Sequence, residues 1–256
     1  MQIDFFEEFP NDESLSKLRL IKFRTNLYVA AKSTKKFLFL KTKIKRSFKN
    51  VDEIIYWPVL KIEEGYWMSA FSETKALKRI LRELKNTNQG FPILWDAELP
   101  ILNKKLFITQ LPYFFSNRKI ITGALFHPYP NHPVIVTAFY KSGAERFLSS
   151  VACTYFSSGN FPYIDMLFTS LLKVKDNPGY LRSVIRENKN KFQKYSVALG
   201  LIGLGVEDDS SPLVSPMDLK RDIDTVWKEK VDNIVLYRLG GLNKSYLRVL
   251  EEFAEE

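Results

Sequence analysis

Eight short runs rich in β-branched and aromatic residues alternate with amphipathic segments along all 256 residues, and this alternation constrains the fold more than any other feature. The runs are QIDFFEEF (2–9), TNLYVAAK (25–32), DEIIYWPVL (52–60), PILWDAEL (92–99), PVIVTAFY (133–140), YIDMLFTS (163–170), YSVALGLIGLGV (195–206) and NIVLYRLGG (233–241). Helix starts lie between them. Asn177-Pro178 precedes Leu181, Val184 and Ile185, and Ser215-Pro216 precedes Leu219, Ile223, Val226 and Trp227, each placing a capping side chain before a proline suited to the first turn. Asn243 can cap a last helix burying Tyr246, Leu247, Leu250 and Phe253. Repeated strand-then-helix units predict an α/β (β/α)8 TIM barrel, eight parallel strands each followed by a helix, forming a single domain over 1–256, because parallel strands need helical crossovers and cover. The alternative is an open doubly wound sheet. That fold usually carries a glycine-rich phosphate turn after its first strand, where this chain has Glu7-Glu8-Phe9-Pro10. The fourth and fifth units are the least regular: the segment 103–133, broken by Pro112, can hold two short helices or a lid.

Composition narrows the class of molecule. With 45% hydrophobic and 14% aromatic residues, the chain can bury a large core. The start, MQIDFFEEFPNDE, is acidic rather than leader-like, and no apolar run approaches the roughly 20 residues of a membrane span, so a cytoplasmic protein with no membrane partner is expected. A single cysteine, Cys153, excludes an internal disulfide and reads as a small core residue. A net charge of +9 raises the question of nucleic acid. In Lys32–Asn50, however, Phe37, Leu38, Leu40 and Ile44 recur at helical intervals, so these lysines are expected on the wet face of a packed helix and no nucleic-acid partner is expected.

In a barrel of this kind, chemistry belongs at the carboxyl ends of the strands, where the following loops converge. Those ends supply Glu7 and Glu8, Lys32, Tyr56 and Trp57, Asp96 and Glu98, Tyr140 and Lys141, Thr169 and Ser170, Glu207 with Asp208 and Asp209, and Arg238. The fourth run is the most informative. Side chains alternate along a strand, so Ile93, Trp95, Ala97 and Leu99 form a wholly apolar face suited to packing under helices, while Leu94, Asp96 and Glu98 share the other face. Carboxylates perform acid and base work once their surroundings separate their pKa values, and flat aromatic rings stack on sugars. Glu98 and Asp96 are therefore the candidate catalytic pair, with Glu7, Glu8, Trp57, Trp67, Tyr140 and Arg238 as candidate substrate-binding residues. Both faces of the first run are apolar until it ends, so the sequence leaves open which of Glu7 and Glu8 points inward.

Asp96-Ala97-Glu98, at the end of the fourth expected strand, resembles the D-x-E core of the chitinase-type glycoside hydrolases. The resemblance implies that Glu98 protonates a glycosidic oxygen and that Asp96 orients the substrate's acetamido group as an internal nucleophile. The family pattern carries a further Asp two residues earlier, where this chain has Leu94, and a glycine-rich lead-in that this chain lacks. Its tyrosine usually ends the sixth strand, whereas Tyr140 ends the fifth run here.

Other readings of the same residues remain. Asp96 and Glu98 can instead pair with Lys32, Lys141 or Arg238 across the mouth and fix local geometry. Trp57, Trp67 and Phe71 can form a sugar-stacking wall or simply tie down their own loop. Gly203, Gly205, Gly240 and Gly241, with Arg238, can cradle a phosphorylated substrate on backbone N–H groups, although Glu207, Asp208 and Asp209 follow closely and repel phosphate. His127 and His132, in FHPYPNHP, have no metal-site spacing. Hard-cation binding by Glu7, Glu8, Asp96 or Glu98 is conceivable without an identifying spacing, and neither a metal nor a cofactor is expected. A barrel that binds carbohydrate or protein without turnover is the remaining alternative, and Leu94 fits it. The expected partner is a carbohydrate or other small molecule, with oligomeric state left open.

Overall fold

The computed structural model describes residues 1–126, 131–171, 176–206 and 211–254. Eight parallel strands form a closed barrel in chain order: β1 Gln2–Glu7, β2 Thr25–Ala31, β3 Val51–Pro58, β4 Ile93–Asp96, β5 Val134–Phe139, β6 Gly159–Met166, β7 Phe192–Gly200 and β8 Asn233–Tyr237. β8 pairs with β1 from Gln2 opposite Asn233 to Phe6 opposite Tyr237. Closure of that seam removes the open doubly wound alternative, whose sheet keeps two edges. Around the strands lie α1 Asp12–Ser16, α2 Thr34–Ser47, α3 Thr74–Lys85, α4 Leu106–Thr109, α5 Phe114–Phe126, α6 Gly143–Val151, α7 Asn177–Asn188, α8 Pro216–Lys228 and α9 Lys244–Glu251.

Alternation along the strands sorts the apolar residues into two shells. Phe5, Val29, Tyr56, Trp95, Val136 and Val197 point outward and pack under helical residues such as Phe37, Leu40 and Ile44 of α2 and Leu219, Ile223 and Val226 of α8. Phe6, Tyr28, Ile55, Leu94, Ile164 and Val235 fill the barrel. The α2 stripe follows the expected spacing, and Lys35, Lys36 and Lys45 are exposed, whereas Lys41 lies half-buried over the Phe91 ring at 5.5 Å from its centroid, so the helix's wet face does not hold every lysine.

Helix starts follow side-chain chemistry. Ser215 caps α8 by accepting the Asp218 N–H at 3.1 Å, and Asn243 caps α9 by accepting from Ser245 and Tyr246. At α7 the cap is Asp176 rather than Asn177: its carboxylate accepts the Gly179 N–H at 2.9 Å, and a full negative charge at a helix N-terminus is favoured by the helix dipole. Asn177 becomes the first helical residue and Pro178 the second. The fourth strand is shorter than its pattern predicts. It stops at Asp96, whose carbonyl accepts the N–H of Met68 from the β3 loop at 3.1 Å, while Ala97 still donates to Thr137 O at 3.0 Å.

Candidate active site

Register settles the two glutamates after β1. Phe6 and Glu8 share the inner face, and Glu8 reaches the carboxyl mouth of the barrel. Glu7 turns outward, where it is fully buried and accepts Arg238 Nη1 at 2.9 Å, the Phe9 N–H at 2.8 Å and the Gly240 N–H at 2.7 Å. Burial raises the Glu7 carboxyl above its usual range, although Arg238 and the two amides pull it down.

At the mouth lies a cavity of about 60 Å³, lined by Glu8, Asp96 and Glu98 together with Trp57 and Trp67. Asp96 sits at its buried floor, and Trp57 Nε1 donates to Asp96 Oδ2 at 3.0 Å. Glu98, two residues on, is half-buried at the rim. The placement follows from the strand period, since Leu94, Asp96 and Glu98 rise along one inner face from barrel core to opening.

The aromatic wall is broader than the two tryptophans. Trp57 meets Phe6 with ring centroids 5.5 Å apart, Phe6 meets Tyr237 at 6.3 Å, Tyr237 meets Phe168 at 5.6 Å, and Phe168 meets Phe139 at 5.7 Å. All five line the cavity. Their contacts with one another are tilted or edge-on, the arrangements aromatic pairs prefer.

Glu8 is held by three donors. The Tyr66 hydroxyl donates to Oε1 at 2.6 Å, the Tyr237 hydroxyl to Oε2, and the Val206 N–H to Oε2 at 3.1 Å. Burial nevertheless pushes the Glu8 carboxyl upward, outweighing the opposing pull of these donors. The Tyr66 phenol is pushed far above its usual range, first by burial, then by Glu8, with Asp96 and Glu98 adding to the effect. One tyrosine thus lies in the field of all three carboxylates. Its backbone, at φ 56° after Gly65 at φ 118°, occupies the left-handed region, an uncommon conformation for an aromatic residue that aims the ring at Glu8.

Other expected residues lie elsewhere. Arg238 is not a cavity residue: besides Glu7 it bonds Leu204 O through Nε at 2.6 Å and lies over the Phe9 ring, so it joins the loops after β7 and β8. Tyr140 also points away from the cavity, because its β5 neighbour Phe139 takes the inner face. It donates to Glu187 at 2.7 Å beside Arg146 and stacks edge-on with Tyr180. Lys141 pairs with Glu145. Phe71 packs between Phe107 and Phe114, tying the β3 loop to the β4–β5 segment.

The glycines at the ends of β7 and β8 serve close packing. A Cβ on Gly241 would meet Ile202 O at 1.8 Å, and the N–H groups of Gly240 and Gly241 are taken by Glu7 and Arg238 O. Those two amides are therefore not presented to a phosphate. His132 is buried against Phe91, with Nδ1 3.2 Å from Phe91 O. Cys153 lies in the core, where burial raises its thiol to about 11. Among the described residues no three His, Cys, Asp or Glu side chains converge as a metal site. His127, Glu207, Asp208 and Asp209 lie outside the described residues.

Sequence reasoning missed Tyr66, Tyr237, Phe6, Phe139 and Phe168. The last four carried a signal, since each shares the inner parity of its strand with a barrel residue. Tyr66 carried only the Gly65 turn before it.

The chain is therefore a closed (β/α)8 barrel whose carboxyl mouth holds three carboxylates within an aromatic rim. No family model and no curated relative matches the chain. Among solved structures it is similar to the PgaB (BpsB) glycoside hydrolase domain from Bordetella bronchiseptica, at 9% identity and a TM-score of 0.53, covering 99% of this chain and 98% of that one. It is also similar to the spore cortex-lytic enzyme SleL from Bacillus cereus, at 9% identity and a TM-score of 0.56, covering 99% of this chain and 74% of that one. The Bacillus megaterium SleL gives 13% identity and a TM-score of 0.50 over the same shares. These likenesses establish the barrel architecture that the strand pattern predicts.

Proposed function

We propose that this protein is a glycoside hydrolase whose reaction centre is Asp96 and Glu98. The observation that carries the reading is the position of Asp96, buried at the floor of the mouth cavity under the Trp57 indole, with Glu98 half-exposed above it and aromatic rings around both. A general acid must reach the leaving oxygen, and Glu98 stands at the open side. An orienting group must be rigid, and Asp96 is held by an indole N–H. The names of the similar barrels, a glycoside hydrolase domain and cortex-lytic enzymes, support the same class. So does the D-x-E resemblance, which points to substrates with an acetamido group. In this scheme Glu98 gives its proton to the glycosidic oxygen as the bond breaks, and Asp96 holds the acetamido group whose oxygen attacks the anomeric carbon. Trp57, Trp67 and Glu8 shape the sugar site.

Oligosaccharides of β-linked N-acetylglucosamine, followed by product chromatography, test the proposal. Wild-type cleavage should fall about 10²–10⁴-fold in Glu98→Gln with sugar binding retained. If Glu98→Gln cleaves as fast as wild type, the assignment fails. One observation favours a second reading: Leu94, where the family pattern has an additional Asp, is fully buried inside the barrel. Sugar binding by the wild type with no turnover on any tested glycan would select a non-catalytic carbohydrate-binding barrel.

A further inference from the structure

Between β4 and β5 the chain makes a run of short helical turns, Ile101–Asn103, α4, Leu111–Tyr113 and α5. One stripe of this run, Leu106, Gln110, Phe114, Asn117, Ile121 and Leu125, recurs every three or four residues and is buried, as helical spacing requires. That side is anchored. Phe114 packs on Phe71 with ring centroids 4.9 Å apart, and Asn117 Nδ2 donates to Ala70 O at 3.0 Å and Ser72 O at 2.9 Å. The run cannot roll over without breaking those buried bonds.

The opposite stripe is apolar too, and it is exposed. Ile108 is 79% exposed, Leu111 61% and Phe115 80%, with Tyr113 beside them at 52%. Exposed large apolar side chains recurring at 108, 111 and 115, at the three- to four-residue spacing of one helical face, point to an interaction surface rather than scattered surface variation. Their electrostatic setting is one-sided. From Leu99 to Ala144 the sequence contains no Asp or Glu, while Lys104, Lys105, Arg118 and Lys119 fall within the run. Lys104, Lys105 and Lys119 are exposed. Glu63, whose carbonyl accepts from Asn103 at 3.1 Å, has its own lysine, Lys61, at 4.0 Å.

We propose that this face docks on an anionic lipid bilayer, with Ile108, Leu111 and Phe115 entering the interface and the lysines engaging the headgroups. Apolar tips flanked by cations, on a segment that itself carries no acid and beside a Glu63 that has its own lysine, have the composition of an interfacial segment, in which lysine stems lie along the apolar boundary and their charges reach the headgroups. A second copy of the chain fits less well, because a two-fold contact through this face would set the same cations against one another. No helix among the described residues is long and apolar enough to cross a membrane, so the contact is peripheral. The run begins just after Asp96 and Glu98, which puts the docking face at the same end of the barrel as the cavity.

The test is co-sedimentation of the full chain with vesicles of phosphatidylcholine plus phosphatidylserine, and with vesicles of phosphatidylcholine alone. Wild type should sediment with the anionic vesicles, much less with the neutral ones, and be released by added salt. Lys104→Gln with Lys105→Gln should lower partitioning about thirtyfold. Ile108→Ser with Phe115→Ser should lower it further, and both pairs should keep the wild-type circular dichroism and melting curve because the side chains are exposed. Absence of wild-type binding to anionic vesicles overturns the proposal, as does equal binding by wild type and both variants. Light scattering gives the competing result: a wild-type dimer that becomes monomeric in Ile108→Ser with Phe115→Ser, without vesicle binding, assigns the face to self-association. Binding of an acidic protein in place of vesicles likewise overturns it.

Discussion

Asp165 should make the protein less stable as pH rises through the mildly acidic range, and the effect can be sized from its surroundings. It lies on the outer face of β6, fully buried, with Oδ2 accepting from Asn188 Nδ2 at 2.9 Å and from the Tyr195 hydroxyl at 2.7 Å. Oδ1 has no hydrogen-bond partner among the described residues. Burial is the largest influence and raises the carboxyl to about 6 from 3.8, despite the lowering pull of Tyr195, Asn188 and Lys191. Below about pH 3.8 folded and unfolded chains both hold the proton, so the group contributes no pH dependence there. Between that value and about 6 the folded chain keeps the proton while the unfolded chain releases it, so stability falls with rising pH. Above about 6 the loss is complete, at about 3 kcal/mol from about 1.4 kcal/mol per pKa unit. Asp165→Asn removes the titration and keeps an acceptor for Asn188 and Tyr195. Urea unfolding of both proteins at about pH 4 and about pH 7.5 should give similar stabilities at the lower pH and a more stable variant at the higher one, by about 2–3 kcal/mol. A wild type that gains stability over Asp165→Asn as pH rises would refute the argument. It would mean that the two donors and Lys191 outweigh desolvation.

The remaining expectations concern the mouth and the shell around it. Arg238→Met leaves Glu7 buried without its guanidinium and should cost up to about 3–5 kcal/mol in urea unfolding, whereas adding Glu7→Gln to it should restore much of that loss. Trp57→Phe removes the indole donor from buried Asp96 and should lower stability by about 1–3 kcal/mol, read from the same unfolding curves. Ile223→Ala, at the fully buried centre of the α8 stripe, should cost about 2–5 kcal/mol, and a cost near zero would mean that α8 is not packed on the barrel. Ser215→Ala removes the α8 cap and should lower stability by about 1 kcal/mol.

The strand at 93–96 shows how much of the site was readable before the fold. Its period of two separated Trp95 from Asp96, and both faces lie as expected, Trp95 under the helices and Asp96 at the mouth. The same rule was available for Phe139, which shares the inner face with Thr137, and for Tyr237, which shares it with Val235. Tyr140 and Arg238, the more reactive neighbours, have the opposite parity. Their side chains bond away from the cavity, Tyr140 to Glu187 and Arg238 to Glu7 and Leu204 O.

Local signals in the chain sufficed for eight strands, their order, the caps of α8 and α9 and the pairing of Asp96 with Glu98 on one face, because periodicity and capping act between residues close in sequence. Tertiary structure alone decided that Glu8 and not Glu7 faces the cavity. The choice depends on the exact residue at which β1 meets β8, and a shift of one residue reverses it. It also decided that Tyr66, Tyr237 and Glu8 meet, although they lie in three separate segments. Barrel closure joins β1 to β8, and the β3 loop folds over that seam, so contacts between distant residues follow from the closed geometry and leave no mark in any one stretch of sequence.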